Sequence, residues 1–182
     1  MTRRSQSIVL IGMMGAGKSA VGICLKSWTG FARFDIDEMV TSKFGMPIFE
    51  IFSEHGEERF REAETQVLRK LSSAQRAIVV TGGGIISREE NLDLLKRLGV
   101  VVWLEADEGT LFKRVSRTGN RPLLRGKNPR KAFTKMLRAR LPLYAKVADI
   151  RVDTSALTDE EVAVAILTKF KRYRRKSAPA TE

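Results

Sequence analysis

Eight residues near the start of the chain, Gly12-Met13-Met14-Gly15-Ala16-Gly17-Lys18-Ser19, follow the pattern G-x-x-x-x-G-K-[ST]. They stand between an apolar run, Ser7 to Ile11, and an apolar-periodic stretch from Lys18 to about Trp28, an order that reads as strand, loop, helix. Glycines let such a loop curl until successive amide hydrogens point inward at phosphate oxygens, and the helix that follows adds its positive end. Lys18 is then placed to neutralise the β- and γ-phosphates of a nucleoside triphosphate, and the Ser19 hydroxyl to hold Mg²⁺. On this reading Gly15, Ala16, Gly17, Lys18, Ser19 and Ala20 form the nucleotide cradle.

The rest of the chain fits a domain built around that loop. Short apolar runs at Ala32 to Ile36, Ala77 to Thr81, Val100 to Glu105 and Ile150 to Asp153 read as further strands. Helical stretches separate them: Asp37 to Phe44, Pro47 to Phe52, Glu57 to about Leu71, a segment ending at Gly99, Glu108 to Arg117, one opened by Asn128-Pro129, and Asp159 to about Arg172. Ser87-Arg88-Glu89-Glu90 and Thr158-Asp159-Glu160-Glu161 both read as capping boxes. Five strands alternating with helices imply an α/β fold of the P-loop NTPase type, nucleoside monophosphate kinase-like, with a five-stranded parallel sheet and helices on both faces. With 182 residues, one domain over residues 1–176 is expected, and 177–182 as a disordered tail.

No apolar run approaches the length of a membrane span. Arg3 and Arg4 lead into the glycine loop rather than a cleavage site, so no export signal is expected. The single cysteine, Cys24, reads as a small buried hydrophobe and fits a reducing cytoplasm. Trp28, Trp103 and the phenylalanines read as core, and His55 as part of a polar helix end. The net charge of +12 raises the possibility of nucleic-acid binding, so its distribution matters. From Lys113 to Lys146 there is no acidic residue, and a second basic run, Lys169 to Lys176, closes the last helix, where cations suit the helix dipole.

The phosphate loop leaves the acceptor open. Phe34-Asp35-Ile36-Asp37 places two carboxylates beyond the second strand, and both face one side if the extended geometry persists. Asp35 then suits water around Mg²⁺, and Asp37 a hydrogen bond from an acceptor alcohol and the uptake of its proton. The alternative is that Asp37 caps the next helix.

The order and spacing of Gly12 to Ser19, Asp35-x-Asp37, Phe60-Arg61 with Glu64 a turn on, Gly82-Gly83-Gly84, Arg121-Pro122-Leu123-Leu124 and Arg140-Leu141-Pro142-Leu143-Tyr144 resemble shikimate kinase over about residues 7 to 172. The resemblance implies ATP-dependent phosphorylation of the 3-hydroxyl of shikimate, with ATP and Mg²⁺. It implies that Asp37, Arg61, Gly82, Gly83, Gly84 and Arg140 hold shikimate, that Arg121 is a lid arginine reaching the ATP phosphates, and that Arg117 lies against adenine. The catalytic residues would be Lys18, Asp37 and Arg121, with Ser19 and, through water, Asp35 at the metal. The chemistry agrees: arginine forks suit a carboxylate, and Glu64, three residues after Arg61, can fix its guanidinium.

The acid-free stretch can then serve as a mobile lid, at about 115–128, over an anionic complex, with no nucleic-acid or membrane partner and a monomer as the expected state. Two alternatives are a kinase of the same type acting on another small acid such as gluconate or on a nucleoside monophosphate, and a nucleic-acid-binding protein that has lost catalysis.

Overall fold

Apolar runs without alternation, such as Ile8-Val9-Leu10-Ile11 and Ala77-Ile78-Val79-Val80, belong to strands covered on both faces. In the computed structural model, which describes residues 6–117 and 127–177, they form the centre of one parallel sheet. Its strands are β1 (Ile8–Ile11), β2 (Ala32–Asp35), β3 (Ala77–Val80), β4 (Val100–Glu105) and β5 (Ile150–Asp153), arranged β2-β3-β1-β4-β5. Every neighbouring pair is parallel. The residues of β1 and β3 and Val100 to Leu104 of β4 are buried, whereas the edge strand β5 alternates buried and exposed. Because β3 and β4 flank β1 on opposite sides, the sheet order reverses at the carboxyl end of β1, where a crevice opens in such folds. The glycine loop begins at that point.

Among the described residues there are seven helices: α1 (Lys18–Thr29), α2 (Ile36–Phe44), α3 (Ile48–Lys70), α4 (Glu89–Leu98), α5 (Glu108–Arg117), α6 (Pro129–Val147) and α7 (Asp159–Ser177). α1 packs on β1, β2 and β3 and against α7, while α4 and α6 pack on β4 and against each other. α7 docks through Val162, Ala163, Ile166 and Phe170, a stripe at helical spacing. Among the described residues no helix is long and apolar enough to cross a membrane.

The two predicted helices on either side of Gly56 are both present within α3 and meet at a kink, where Gly56 takes a positive-φ, non-helical conformation (φ 80°, ψ 164°). The Thr158 capping box is present in both directions: Thr158 N donates to Glu161 Oε2 at 2.8 Å and Glu161 N to Thr158 Oγ1 at 3.2 Å. Asn128 caps α6 by accepting from Lys131 N, with Pro129 at the first turn.

The second capping box does not form. Ser87 belongs to a 3₁₀ turn, Ile85–Ser87, in which its amide donates to Gly84 O, and α4 starts only after Arg88. Cys24 is half-buried rather than buried, and Trp28 lies 47% exposed on the outer side of α1, so neither is a core residue. The ring of His55 stands 5.3 Å from that of Phe44, just before the Gly56 bend. The last helix runs to Ser177 instead of Arg172, with Arg174, Arg175 and Lys176 in its final turn, where the helix dipole favours cations. Residues 178–182 of the expected tail lie outside the described residues, as do 118–126 of the expected lid.

Candidate active site

The loop between β1 and α1 has the conformation its glycines permit. Gly15 and Gly17 lie at φ 84° and 85°, a left-handed region that side chains disfavour, and Gly17 is the N-cap of α1. Lys18 is 8% exposed, and its Nζ donates to Gly12 O at 2.8 Å and Met13 O at 3.0 Å, so the ammonium is held against the loop. A cleft of about 590 Å³ opens above it. Met14, Gly15, Gly17, Lys18, Ser19 and Ala20 line it together with Asp35, Asp37, Thr81, Gly82 and Gly83. Most of the predicted residues therefore meet in one space.

The two aspartates are placed differently from the extended pair expected. α2 begins at Ile36, so Asp37 sits in its first turn and Asp35 is the N-cap, with Oδ1 accepting from Asp37 N at 3.2 Å. Asp35 Oδ2 accepts from Ser19 Oγ at 3.5 Å and from Arg33 NH2 at 2.7 Å. Burial and the neighbouring Glu38 push the Asp35 carboxyl above its ordinary value, against the pull of Arg33 and two backbone amides. With capping done by Asp35, the Asp37 carboxylate reaches the cleft wall, where a Cβ on Gly82 would lie 2.6 Å from its Oδ1.

Arg61, Glu64 and Arg140 back that wall. Glu64 fixes Arg61 as expected, accepting from NH1 at 2.7 Å, and Glu57 accepts from NH2 at 2.8 Å. These two carboxylates outweigh the burial that opposes charge on Arg61, and its guanidinium stays protonated. Glu64 is wholly buried, and burial pushes its carboxyl up to about 7 against the pull of Arg61, with Asp37 adding to the rise. The glycine run has a steric reason: a Cβ on Gly82 would stand 2.9 Å from Glu64 Oε1, and one on Gly84 would fall onto the Arg61 guanidinium.

Arg140, on α6, is 9% exposed and makes no ion pair among the described residues; its NH1 faces Met13 Sδ at 3.7 Å. Burial pulls it below the ordinary arginine value, as does Arg61, and Tyr144 opposes them. A buried guanidinium without a paired carboxylate is costly unless an anion meets it.

Two further residues support the site, although the sequence reading gave neither a role. Tyr144 donates to Gly83 O at 2.5 Å and stacks on Trp103 with ring centres 5.7 Å apart, which fixes the Gly83 peptide. Burial pushes its hydroxyl well above the usual tyrosine value. Arg114 spans from Gly15 O, at 3.4 Å, to Thr154 O, at 2.7 Å, and ties the phosphate loop to the segment after β5. Its place one turn before Arg117 in the acid-free stretch was the one available hint. Leu157, Thr158, Asp159 and Glu160 close the far end of the cleft. Arg117 stands exposed at the end of α5, while Arg121 lies outside the described residues.

A family model described as shikimate kinase matches residues 14–171. A shikimate kinase of Thermodesulfovibrio yellowstonii is 43% identical over 167 residues, which span 92% of this chain and 96% of the relative. The chain belongs to the shikimate kinase family. As a member of that family it is an ATP-dependent kinase. Among solved structures, the shikimate kinase from Acinetobacter baumannii in complex with shikimate matches with a TM-score of 0.87 at 37% identity, covering 91% of this chain and 93% of that one. The shikimate kinase from Aquifex aeolicus matches with a TM-score of 0.78 at 32% identity, covering 93% and 98%. These likenesses extend over the sheet and helices that build the cleft, and the family's parallel five-stranded architecture agrees with the expected fold.

Proposed function

We propose that the family's reaction, transfer of the γ-phosphoryl group of ATP to the 3-hydroxyl of shikimate, is carried out in this cleft by Lys18, Asp37, Arg61 and Arg140. The observation that carries this reading is the buried Arg140 guanidinium, without an ion pair among the described residues, lying against Gly83 and against Met13 of the phosphate loop. Arg140 and Arg61 grip the substrate carboxylate, and the backbone of Gly82 to Gly84 lets the ring lie close. Asp37 accepts the hydrogen bond of the 3-hydroxyl and takes its proton as the new O–P bond forms. Lys18 and the loop amides hold the β- and γ-phosphates and stabilise the charge that spreads over the transferred group.

Ser19 Oγ and Asp35 Oδ2, 3.5 Å apart, are hard oxygen donors beside Lys18 and fit a magnesium ion held by the hydroxyl directly and by the carboxylate through water. The ion would supply positive charge to the phosphate oxygens. Arg121 adds charge from the lid, and Arg117 lies along adenine. Arg114 and Arg140, both from the acid-free stretch, bear on the cleft, which supports phosphate and carboxylate binding over nucleic acid as the role of that charge. The enzyme works as a cytoplasmic monomer.

Purified protein with MgATP should form ADP in proportion to added shikimate in a coupled assay. ADP formation indifferent to shikimate, by protein that binds ATP, would sink the assignment. Arg140→Ala should raise the KM for shikimate about thirtyfold with kcat little changed, because a charged hydrogen-bonded contact is lost from ground and transition state alike. A loss confined to kcat would contradict the carboxylate role.

A further inference from the structure

Arg33 belongs neither to the phosphate loop nor to the acceptor wall, yet it holds a carboxylate that serves the metal side. It lies on β2 two residues before Asp35, on the same side of the strand. Its side chain is 14% exposed, and NH2 donates to Asp35 Oδ2 at 2.7 Å. NH1 and NH2 also fork onto the two oxygens of Glu38, at 3.2 Å each. Glu38 is in the first turn of α2, and its side chain is 67% exposed. Arg33 Nε is buried without a hydrogen-bond partner among the described residues, and a Cβ on Gly22 would stand 3.5 Å from it and 2.7 Å from Val80 Cγ2. The bare face of α1 at Gly22 thus leaves the slot through which the arginine reaches the carboxylate. Asp35 Oδ1 is committed to the α2 amide, so Oδ2 faces Ser19 with a guanidinium already on it.

We propose that Arg33 is a positioning residue that competes with the magnesium ion for Asp35, and that Glu38 takes over the guanidinium when the ion binds. The proposal rests on the reading of Ser19 and Asp35 as the metal side. Two cations drawn to one carboxylate, the guanidinium directly and the ion through water, repel, and the repulsion is relieved if Arg33 gives up a single hydrogen bond and keeps its fork on Glu38. The unsubstituted chain then needs more free Mg²⁺ to bind nucleotide than it would without the arginine.

Calorimetric titration of ADP at a series of buffered free Mg²⁺ concentrations measures this without turnover. Arg33→Met should lower the Mg²⁺ concentration at which ADP affinity is half-enhanced by about fivefold, the order expected for removal of one nearby like charge. Arg33→Lys should stay near the unsubstituted value. Glu38→Gln, at an exposed position that does not threaten folding, should raise it about twofold by pressing Arg33 onto Asp35. No change or a rise in Arg33→Met, or a shift of Glu38→Gln in the same direction as Arg33→Met, overturns the proposal. Asp35→Asn separates the two levels: a Mg²⁺ dependence that it leaves untouched removes the metal-side reading and the proposal together. A dependence abolished by Asp35→Asn but indifferent to Arg33 removes the proposal alone.

Discussion

Replacing Asp37 by asparagine should lower kcat about a thousandfold, the usual weight of a positioned general base, while the melting temperature and the KM for shikimate stay close to those of the unsubstituted protein. Both parts follow from the start of α2. The N-cap is Asp35, whose Oδ1 accepts from the Asp37 amide, and that backbone donor is indifferent to the side chain at position 37. Asparagine keeps the size of the group beside Gly82, where a Cβ would already lie 2.6 Å from Asp37 Oδ1, and it can still accept a hydrogen bond from the substrate. It cannot take up the proton. Steady-state kinetics with shikimate, together with a thermal melt, check the prediction. A kcat within tenfold of the unsubstituted enzyme would show that Asp37 orients the hydroxyl without removing its proton.

The unfolding free energy should fall by about 3 kcal/mol as pH rises from about 4.5 to about 7, through Glu64 alone. The carboxyl is wholly buried and titrates near 7 in the folded chain against 4.5 ordinarily, so the folded state binds the proton more tightly than the unfolded one. Its contribution is therefore complete below the unfolded value and is lost as pH climbs through the folded one. Glu64→Gln has nothing to titrate, preserves the shape against Gly82, and can still accept from Arg61 NH1. Urea denaturation at pH 4 and pH 8 should show the full drop in the unsubstituted protein and a drop smaller by about 3 kcal/mol in the variant. Equal drops in the two proteins would place the source elsewhere. The variant also leaves Glu57, more than half exposed, as the remaining acidic partner of Arg61, so shikimate should bind less tightly as that guanidinium loses its orientation.

Features written within a few residues of each other were legible from the chain alone. The Thr158 capping box, the Asn128-Pro129 helix start, the strand-loop-helix around Lys18 and the Arg61 and Glu64 pair each depend on neighbours one turn away, and each formed. The Ser87 box had the same local signal and failed, because Gly84 and Ser87 had already closed a 3₁₀ turn. Asp35 and Asp37 both line the cleft, but not by the extended geometry that their spacing suggests, since a strand and a helix meet between the two. The family motif singles out Arg140, but its burial without an ion pair among the described residues becomes visible only once α6 has docked.

What the sequence determined by itself was the kind of fold and the phosphate chemistry: apolar runs that must be covered on both faces, and a loop whose glycines permit amides to converge on an anion. The tertiary structure alone decided how the walls of the cleft are supported. Gly84 must be bare because Arg61 arrives from another helix, Gly15 is tied to Thr154 by Arg114, and Gly22 makes room for the arginine that sits on Asp35. These contacts join positions from 11 to 139 residues apart in chain numbering, and nothing in the local pattern of either partner specifies the other. They form when the strand order β2-β3-β1-β4-β5 brings the carboxyl ends together, because packing around a shared sheet edge, and not spacing along the chain, sets which side chains meet.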